Sequence, residues 1–432
     1  MSITYDYIVD PVNGDDNNNG QTEGTAFETI RRAGLELQSI AVNGVVGDRV
    51  IIGLRNGLYH EHLHTTGGSG SGGTGTTFIV DGTEQSPIWI RPYGSENPVI
   101  EPAGAGWVLA IQGLYYEIGA MESWLEIRNG GNVNLSRGGI NIQRSAITDK
   151  QARGCIVRKV HAHHNRQTGI QTHGPAHDII FEYNYSHDNY DILLGGNNAD
   201  GIKSARTSNI IVRHNVLFRN ADDGLDMIHT GIDSAGGGIV HNNISLWNGY
   251  YDAEYWNAGT SRKVRSEEGN GYGFKYGGAE FSDNPMTFYR NIAFENRWGY
   301  VHFVPHTRLW NNVSAKHPSS GFRGVGQTTL EYRNNIAYED SVSLVDEGGS
   351  ISNPGQYPSD EYNSWTNRSQ ESSKNNLGVT PIASHFKEVD IPASILSKLN
   401  HSYDGSNSPP VVTVDEFDTE DFFHLDENYT GS

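Results

Sequence analysis

The chain has 432 residues, with 31 lysines and arginines against 51 aspartates and glutamates, for a formal net charge of −20. A balance of that sign excludes a protein that grips nucleic acid through general basicity, so a polyanionic ligand must be met by local cations or by a metal. The single cysteine, Cys155, excludes an internal disulfide framework and a cysteine-based zinc site, and reads as a small buried apolar side chain.

The opening Met1 to Asp6 lacks the charged-then-apolar start of a secretory leader, and no apolar run approaches the roughly 20 residues that cross a bilayer. The expectation is a soluble protein without a membrane partner, whose export signal was removed or never present. Thr25 followed by Glu28 has the pattern of a capping box, and Phe27, Ile30, Ala33 and Leu37 recur at helical spacing. This predicts one amphipathic helix over 25–40, suited to capping a larger structure. Strand-like runs follow at Arg49 to Ile52, Thr77 to Val80 and Ile88 to Arg91, with the Gly/Ser-rich 67–75 read as a flexible loop.

From about residue 155 the chain repeats itself. Asn pairs recur from Asn184, Asn215, Asn243 and Asn291, then in weaker copies from Asn312 and Asn335, at separations of 31, 28, 48, 21 and 23 residues. The shorter spacings match one coil of a parallel β-helix, and the longer ones imply inserted loops. In such a coil, strands stack about 4.8 Å apart, and an inward Asn at each turn bonds the backbone of the next coil. Each coil needs its neighbours to bury its apolar face, so the ends need caps. The fold expected is all-β, a right-handed parallel β-helix with an N-terminal capping helix, residues 1–375. Residues 376–432 form a tail of Ser/Gly/Pro/Asn-rich and acidic-apolar segments packed along the solenoid.

A second register, Gly followed by an apolar residue, runs through Gly169, Gly201, Gly224, Gly273, Gly299 and Gly321. If these pairs stack, side-chain alternation turns one column outward, reading Gln171, Lys203, Asp226, Lys275, Val301, Arg323. The residues before each Gly form another: Thr168, Asp200, Asp223, Tyr272, Trp298, Ser320. The two columns bring Asp200, Asp222, Asp223 and Asp226 together, and carboxylates that close call for a cation. Their number and hardness suit Ca²⁺. Lys275, one rung beyond Asp226, is placed as a general base whose pKa a nearby divalent cation would lower, with Lys203 on the opposite rung as the other lysine of the column. Carboxylates, metal and base together equip a site to remove a proton α to a carboxylate.

The blocks Asn198-Ala199-Asp200-Gly201, Asn220 to Asp226 and Gly269 to Gly278 resemble the active-site blocks of family 9 polysaccharide lyases, β-helix enzymes typified by pectate lyases. The opening, with Gly14-Asp15 and Gly47-Asp48-Arg49-Val50, is also similar to theirs. The resemblance implies Asp200, Asp222, Asp223 and Asp226 as calcium ligands, Lys275 as the base, and an acidic uronic-acid polysaccharide as substrate. Tyr250 to Glu268 departs from a plain coil and is expected to carry Arg262, Lys263 and Arg265 toward the cleft. Tyr272 and Trp298, with Tyr276 and Tyr300, read as exposed packing or sugar-stacking rings, and Arg297 and Arg323 as partners of substrate carboxylates. The histidines His161, His163, His164, His173, His177 and His187 read as polar surface or stacking residues. Two other classes fit the residues: a metal-independent β-helix hydrolase, and a non-catalytic calcium-stabilised β-helix such as an adhesin or phage tailspike. The expected setting is extracellular, as a monomer, or an oligomer on a phage tail.

Overall fold

The structure is a computed structural model and describes residues 3–61, 78–104, 106–228, 237–256, 258–261, 263–277, 286–303, 307–325, 330–333, 335–347 and 364–365. The expected loop at 67–75 and the C-terminal tail 376–432 lie outside the described residues.

Almost every strand pairs in parallel with its counterpart one coil away, in three long sheets of 12, 11 and 9 strands. The chain visits the sheets in turn, the arrangement of a parallel β-helix. The interior is one continuous apolar stack from Val9 to Ala337, in which Phe274, Tyr300 and Phe322 lie ring on ring from coil to coil. Cys155 sits in that stack, fully buried.

The capping helix spans Ile30–Ile40, shorter than the predicted 25–40. Thr29, not Thr25, is its N-cap, accepting from the Arg32 amide. Residues Glu23–Thr25 instead form a separate 3-10 turn. Glu61 reaches in from the first coil to accept from the Ile30 and Arg31 amides, satisfying donors that a helix start leaves open. Ile30, Ala33 and Leu37 join the end of the core.

Two asparagine ladders hold the corners. One runs Asn184, Asn215, Asn243, Asn291, Asn312, Asn335, each Oδ1 from Asn215 onward accepting from the peptide N–H and side-chain amide of the Asn one coil before. The other runs Asn165, Asn189, Asn220, Asn248, Asn296, and His317 and Asp340 continue it. The residue just before each rung is left-handed: Tyr183, His214, Asn242, Arg290 and Asn311 on one corner, and His164, Asp188, Arg219, Trp247, Glu295, Lys316 and Glu339 on the other, with φ from 45° to 57°. Non-glycine residues pay roughly 1–2 kcal/mol there, and the ladder bonds at the next residue offset it.

Candidate active site and metal centre

The third sheet carries the predicted outward column. Its register pairs Gln171 with Lys203, Lys203 with Asp226, Asp226 with Lys275, Lys275 with Val301 and Val301 with Arg323. The column begins earlier than predicted, with Ala110 and Asn141 on the two preceding rungs. Gly224 allows the close stacking, since a Cβ there would lie 2.3 Å from Ser245 Oγ and 2.7 Å from Gly273 O. The residues before the glycines stack as well: the Gly201 amide donates to Asp223 O at 2.9 Å and the Gly224 amide to Tyr272 O at 2.8 Å.

Asp200, Asp223 and Asp226 each bring a carboxylate oxygen within 4.8 Å of the other two, and all three are buried. Lys203 Nζ lies 3.2 Å from both Asp200 and Asp226. Lys275 Nζ lies 3.1 Å from Asp223 and 3.3 Å from Asp226. Asp226 is thus flanked by one ammonium from each adjacent rung, and its Oδ1 has the ion-pair distance to Lys275 without hydrogen-bond alignment. Asp222 stands slightly apart, its two oxygens accepting from the Asn198 amide at 2.9 Å and the Asn270 amide at 2.6 Å. Thr168 Oγ1 donates to Asp200, and Asn198 Oδ1 accepts from Lys203. Neither contact was visible as a role in the sequence, although Asn198 heads one of its recognised blocks.

The electrostatics follow from burial. Burial, reinforced by Asp200, raises Asp222 to about 7, and burial with Asp222 raises Asp223 well above the carboxylate range. Burial also acts to raise Asp226, but Lys275 and Lys203 outweigh it and hold the group low. Lys275 is pushed the opposite way from the lowered value expected beside a cation. Burial disfavours its charge, yet Asp223, Asp226 and Asp200 together hold its proton more firmly than usual.

The donor set fits a hard divalent cation. Oxygens bound to one Ca²⁺ at 2.3–2.6 Å lie at most about 5 Å apart, which the three clustered carboxylates satisfy. Four buried acids face only two ammoniums, and the protons that burial keeps on Asp222 and Asp223 are what a bound cation would displace.

Of the other predicted residues, Tyr272, on the same strand as Lys275, meets Trp298 and Arg323 from the next two rungs. Tyr272 pairs with Trp298, their rings 5.9 Å apart, and the Arg323 guanidinium lies 4.8 Å from the Trp298 ring and donates to Tyr272 Oη at 3.3 Å. Arg297 donates to Gly269 O at 2.9 Å. Arg265 is exposed on a short antiparallel pairing with Tyr250, and Arg262 lies outside the described residues. Lys263 is drawn away to Glu295 at 2.7 Å. Tyr276 and Tyr300 are not exposed rings: alternation along their strands puts them on the same side as Phe274, inside the coil. Tyr272 is also buried, 7% exposed, against Trp298 and Arg323, and of the four rings only Trp298 is partly open. His161, His163 and His164 do stack, but all three are buried rather than on the surface, His164 against Tyr255.

The fold agrees with comparison to known proteins. The chain is 26% identical over 243 residues to pectate lyase PEL9 of Emericella nidulans, covering 51% of this chain and 55% of that protein. It is 25% identical to pectate lyase L of Dickeya chrysanthemi, over 64% of this chain and 61% of the relative. The matches thus span less than two thirds of these curated relatives. Among solved structures, pectate lyase Pel9A superposes with a TM-score of 0.63 at 21% identity, covering 99% of this chain and 90% of that one. A rhamnogalacturonan lyase superposes with a TM-score of 0.61 at 16% identity, covering 94% and 95%. The family model described as Pel9A-like, right handed beta helix region, matches residues 11–345, well over half of the 432, and the chain belongs to that family of right-handed parallel β-helix proteins.

Proposed function

We propose that the protein is a polysaccharide lyase that cleaves an acidic, uronic-acid-containing polysaccharide by β-elimination, with Lys275 as base. The observation that carries this reading is the placement of Lys275 Nζ between Asp223 and Asp226, at the edge of a buried carboxylate cluster on the outer face of the coil. Asp200, Asp223 and Asp226, with Asp222 beside them, would hold Ca²⁺. When bound, calcium supplies charge stabilisation for the uronate carboxylate as its α-proton leaves.

The chain's own residues account for the rest. Lys275 can accept the C5 proton only once Asp223 and Asp226 no longer hold its ammonium, so occupation of those carboxylates and freeing of the base are one event. Proton removal and departure of the 4-linked sugar leave an unsaturated residue at the new end. Lys203, paired with Asp200 and Asp226 on the other side, meets the substrate's charge. Trp298, partly open and backed by Tyr272, offers a ring face to the next sugar, while Arg297, Arg323, Arg265 and Arg262 supply cations for neighbouring carboxylates. The pectate lyases among its relatives support a secreted setting, and no described helix is long and apolar enough to cross a membrane.

The test is the ultraviolet absorbance of unsaturated product across galacturonan, rhamnogalacturonan and glucuronan, with calcium and with chelator. Lys275→Ala should lose at least about a hundredfold in turnover, within the 10²–10⁴ that a positioned base contributes, while its fold and calcium binding persist. Full activity in Lys275→Ala together with loss in Lys203→Ala would transfer the role to Lys203. Retention in both would overturn the mechanism, and chain cleavage that gives no ultraviolet absorbance and is untouched by chelator would point to a hydrolase.

A further inference from the structure

A second cluster of ligating side chains lies on a different sheet from the carboxylates. In the strand Val160–His163, Val160 and Ala162 enter the core, so His161 and His163 take the outer face. The register sets His161 beside Tyr185 and His163 beside His187. An outer face ordinarily meets water, yet His161 and His163 are each 1% exposed. Neighbouring rings supply much of the cover: His161 stacks on Tyr185 and His163 on His187, and His164, edge-on to His163, is itself covered by Tyr255, 3.7 Å away with its hydroxyl tied to Asn129.

Beneath that cover, one nitrogen from each of His161, His163 and His187 lies within 4.8 Å of the other two. His161 Nε2 and His187 Nε2 are 2.6 Å apart. A neutral imidazole has one donor and one acceptor nitrogen. His187 Nδ1 sits 2.7 Å from Asp188 Oδ2, which makes Nδ1 the protonated nitrogen and turns the Nε2 lone pair toward His161. Asp188 is itself gripped by Arg219 at 2.5 and 3.0 Å. Glu126, held by Arg128, lies 3.2 Å from His163 Nε2. Carboxylates that orient imidazoles in this way are the usual outer partners of histidine metal ligands.

We propose that His161, His163 and His187 form a second metal site, built for a late first-row divalent ion such as zinc and separate from the hard-oxygen cluster. Neutral imidazoles suit zinc, copper or nickel, whereas calcium takes oxygen donors. Zn–N bonds of 2.0–2.1 Å set tetrahedral ligand atoms about 3.4 Å apart, inside the range spanned here, where the nitrogens all lie within 4.8 Å of one another and the nearest pair is 2.6 Å apart. The His163 and His187 planes differ by only 6°, so one ring must turn about χ2 to aim at a shared ion, a broad torsion for histidine. The ion would clasp two adjacent rungs of the second sheet, a structural role independent of the lyase reading.

The experiment uses the whole protein, stripped with chelator, re-saturated with calcium, then titrated with zinc by calorimetry and with cobalt(II) by visible absorption. One equivalent of zinc should bind and raise the melting temperature, and cobalt should give the intense bands of a nitrogen-ligated, low-coordinate ion. His161→Gln and His187→Gln should each weaken zinc binding by at least about a hundredfold, beyond the 10–100-fold typical of losing an orienting partner, with calcium binding at the carboxylates unchanged. Absence of zinc binding at stoichiometric protein, or its survival in both variants, would overturn the proposal. The wild-type cobalt spectrum decides even if a variant fails to fold, because weak bands of an all-oxygen octahedral ion would equally refute the site.

Discussion

Asn243→Ala isolates what the ladder contributes to the fold. Asn243 Oδ1 accepts from the Asn215 peptide N–H at 3.0 Å and from its side-chain amide at 2.9 Å, while its own Nδ2 donates to Val212 O and Asn291 Oδ1 at 2.9 Å. Truncation leaves the buried Asn215 N–H without that acceptor, a penalty of about 1–3 kcal/mol, and removes the amide pairs to Asn215 and Asn291 at about 0.5–1.5 kcal/mol each. The sum is roughly 2–6 kcal/mol, a large share of the 5–15 kcal/mol that holds a typical domain folded. Because each coil is stabilised through its neighbours, the loss should first appear as faster amide exchange in the flanking coils. Urea unfolding followed by tryptophan fluorescence reads the total. The corner lies on other sheets than the carboxylates, so turnover per folded molecule should stay at the wild-type level. A loss below about 1 kcal/mol would refute the reasoning, since it would mean that water or relaxation replaces the ladder bonds at no net cost.

Asp223→Ala should abolish the calcium-induced rise in thermal stability, which at a hundredfold excess over Kd is worth about 2.7 kcal/mol in the wild type; an unchanged rise measured by calorimetry would move the cation elsewhere. Burial pushes Asp340 up to about 8 from 3.8, so the folded state keeps a proton that the unfolded chain releases. Stability should therefore fall as pH rises from about 4 to about 8, and Asp340→Asn should flatten that part of the melting-temperature profile; equal slopes in the two proteins would contradict this. Gly224→Ala forces a Cβ to within 2.3 Å of Ser245 Oγ, and overpacking of that kind costs about 1–3 kcal/mol. Chemical denaturation should show the loss, and activity should fall with it because Gly224 sits between Asp223 and Asp226.

The solenoid was legible because its repeats are written in residue types with one structural meaning each: asparagine at the corner, glycine before an inward apolar residue. Counting along the strands was then enough to put Lys203, Asp226 and Lys275 on successive rungs. Alternation misled where ring size suggested exposure, as at Tyr276 and Tyr300, whose position relative to Phe274 already pointed inward. The helix start was misplaced because Thr25 and Thr29 both precede acceptable helical patterns, and the choice rests on the tertiary contacts of Asp16 and Glu61 with the Thr29 and Ile30 amides. The separation of Asp222 from its three neighbours depends on two loop amides, Asn198 and Asn270, whose directions no spacing rule encodes. The cover over His164 likewise comes from a loop more than ninety residues downstream.

The left-handed corner before the first asparagine ladder is filled by Tyr183, His214, Asn242, Arg290 and Asn311, an aromatic, an imidazole, two amides and a guanidinium in one column. All five are partly or fully open to solvent, and backbone geometry, rather than any shared side-chain property, is what they have in common. That edge therefore works as a rack with one slot per coil, spaced about 4.8 Å apart. Its surface chemistry can drift or be rewritten slot by slot, while the asparagine behind each slot keeps the coil in register.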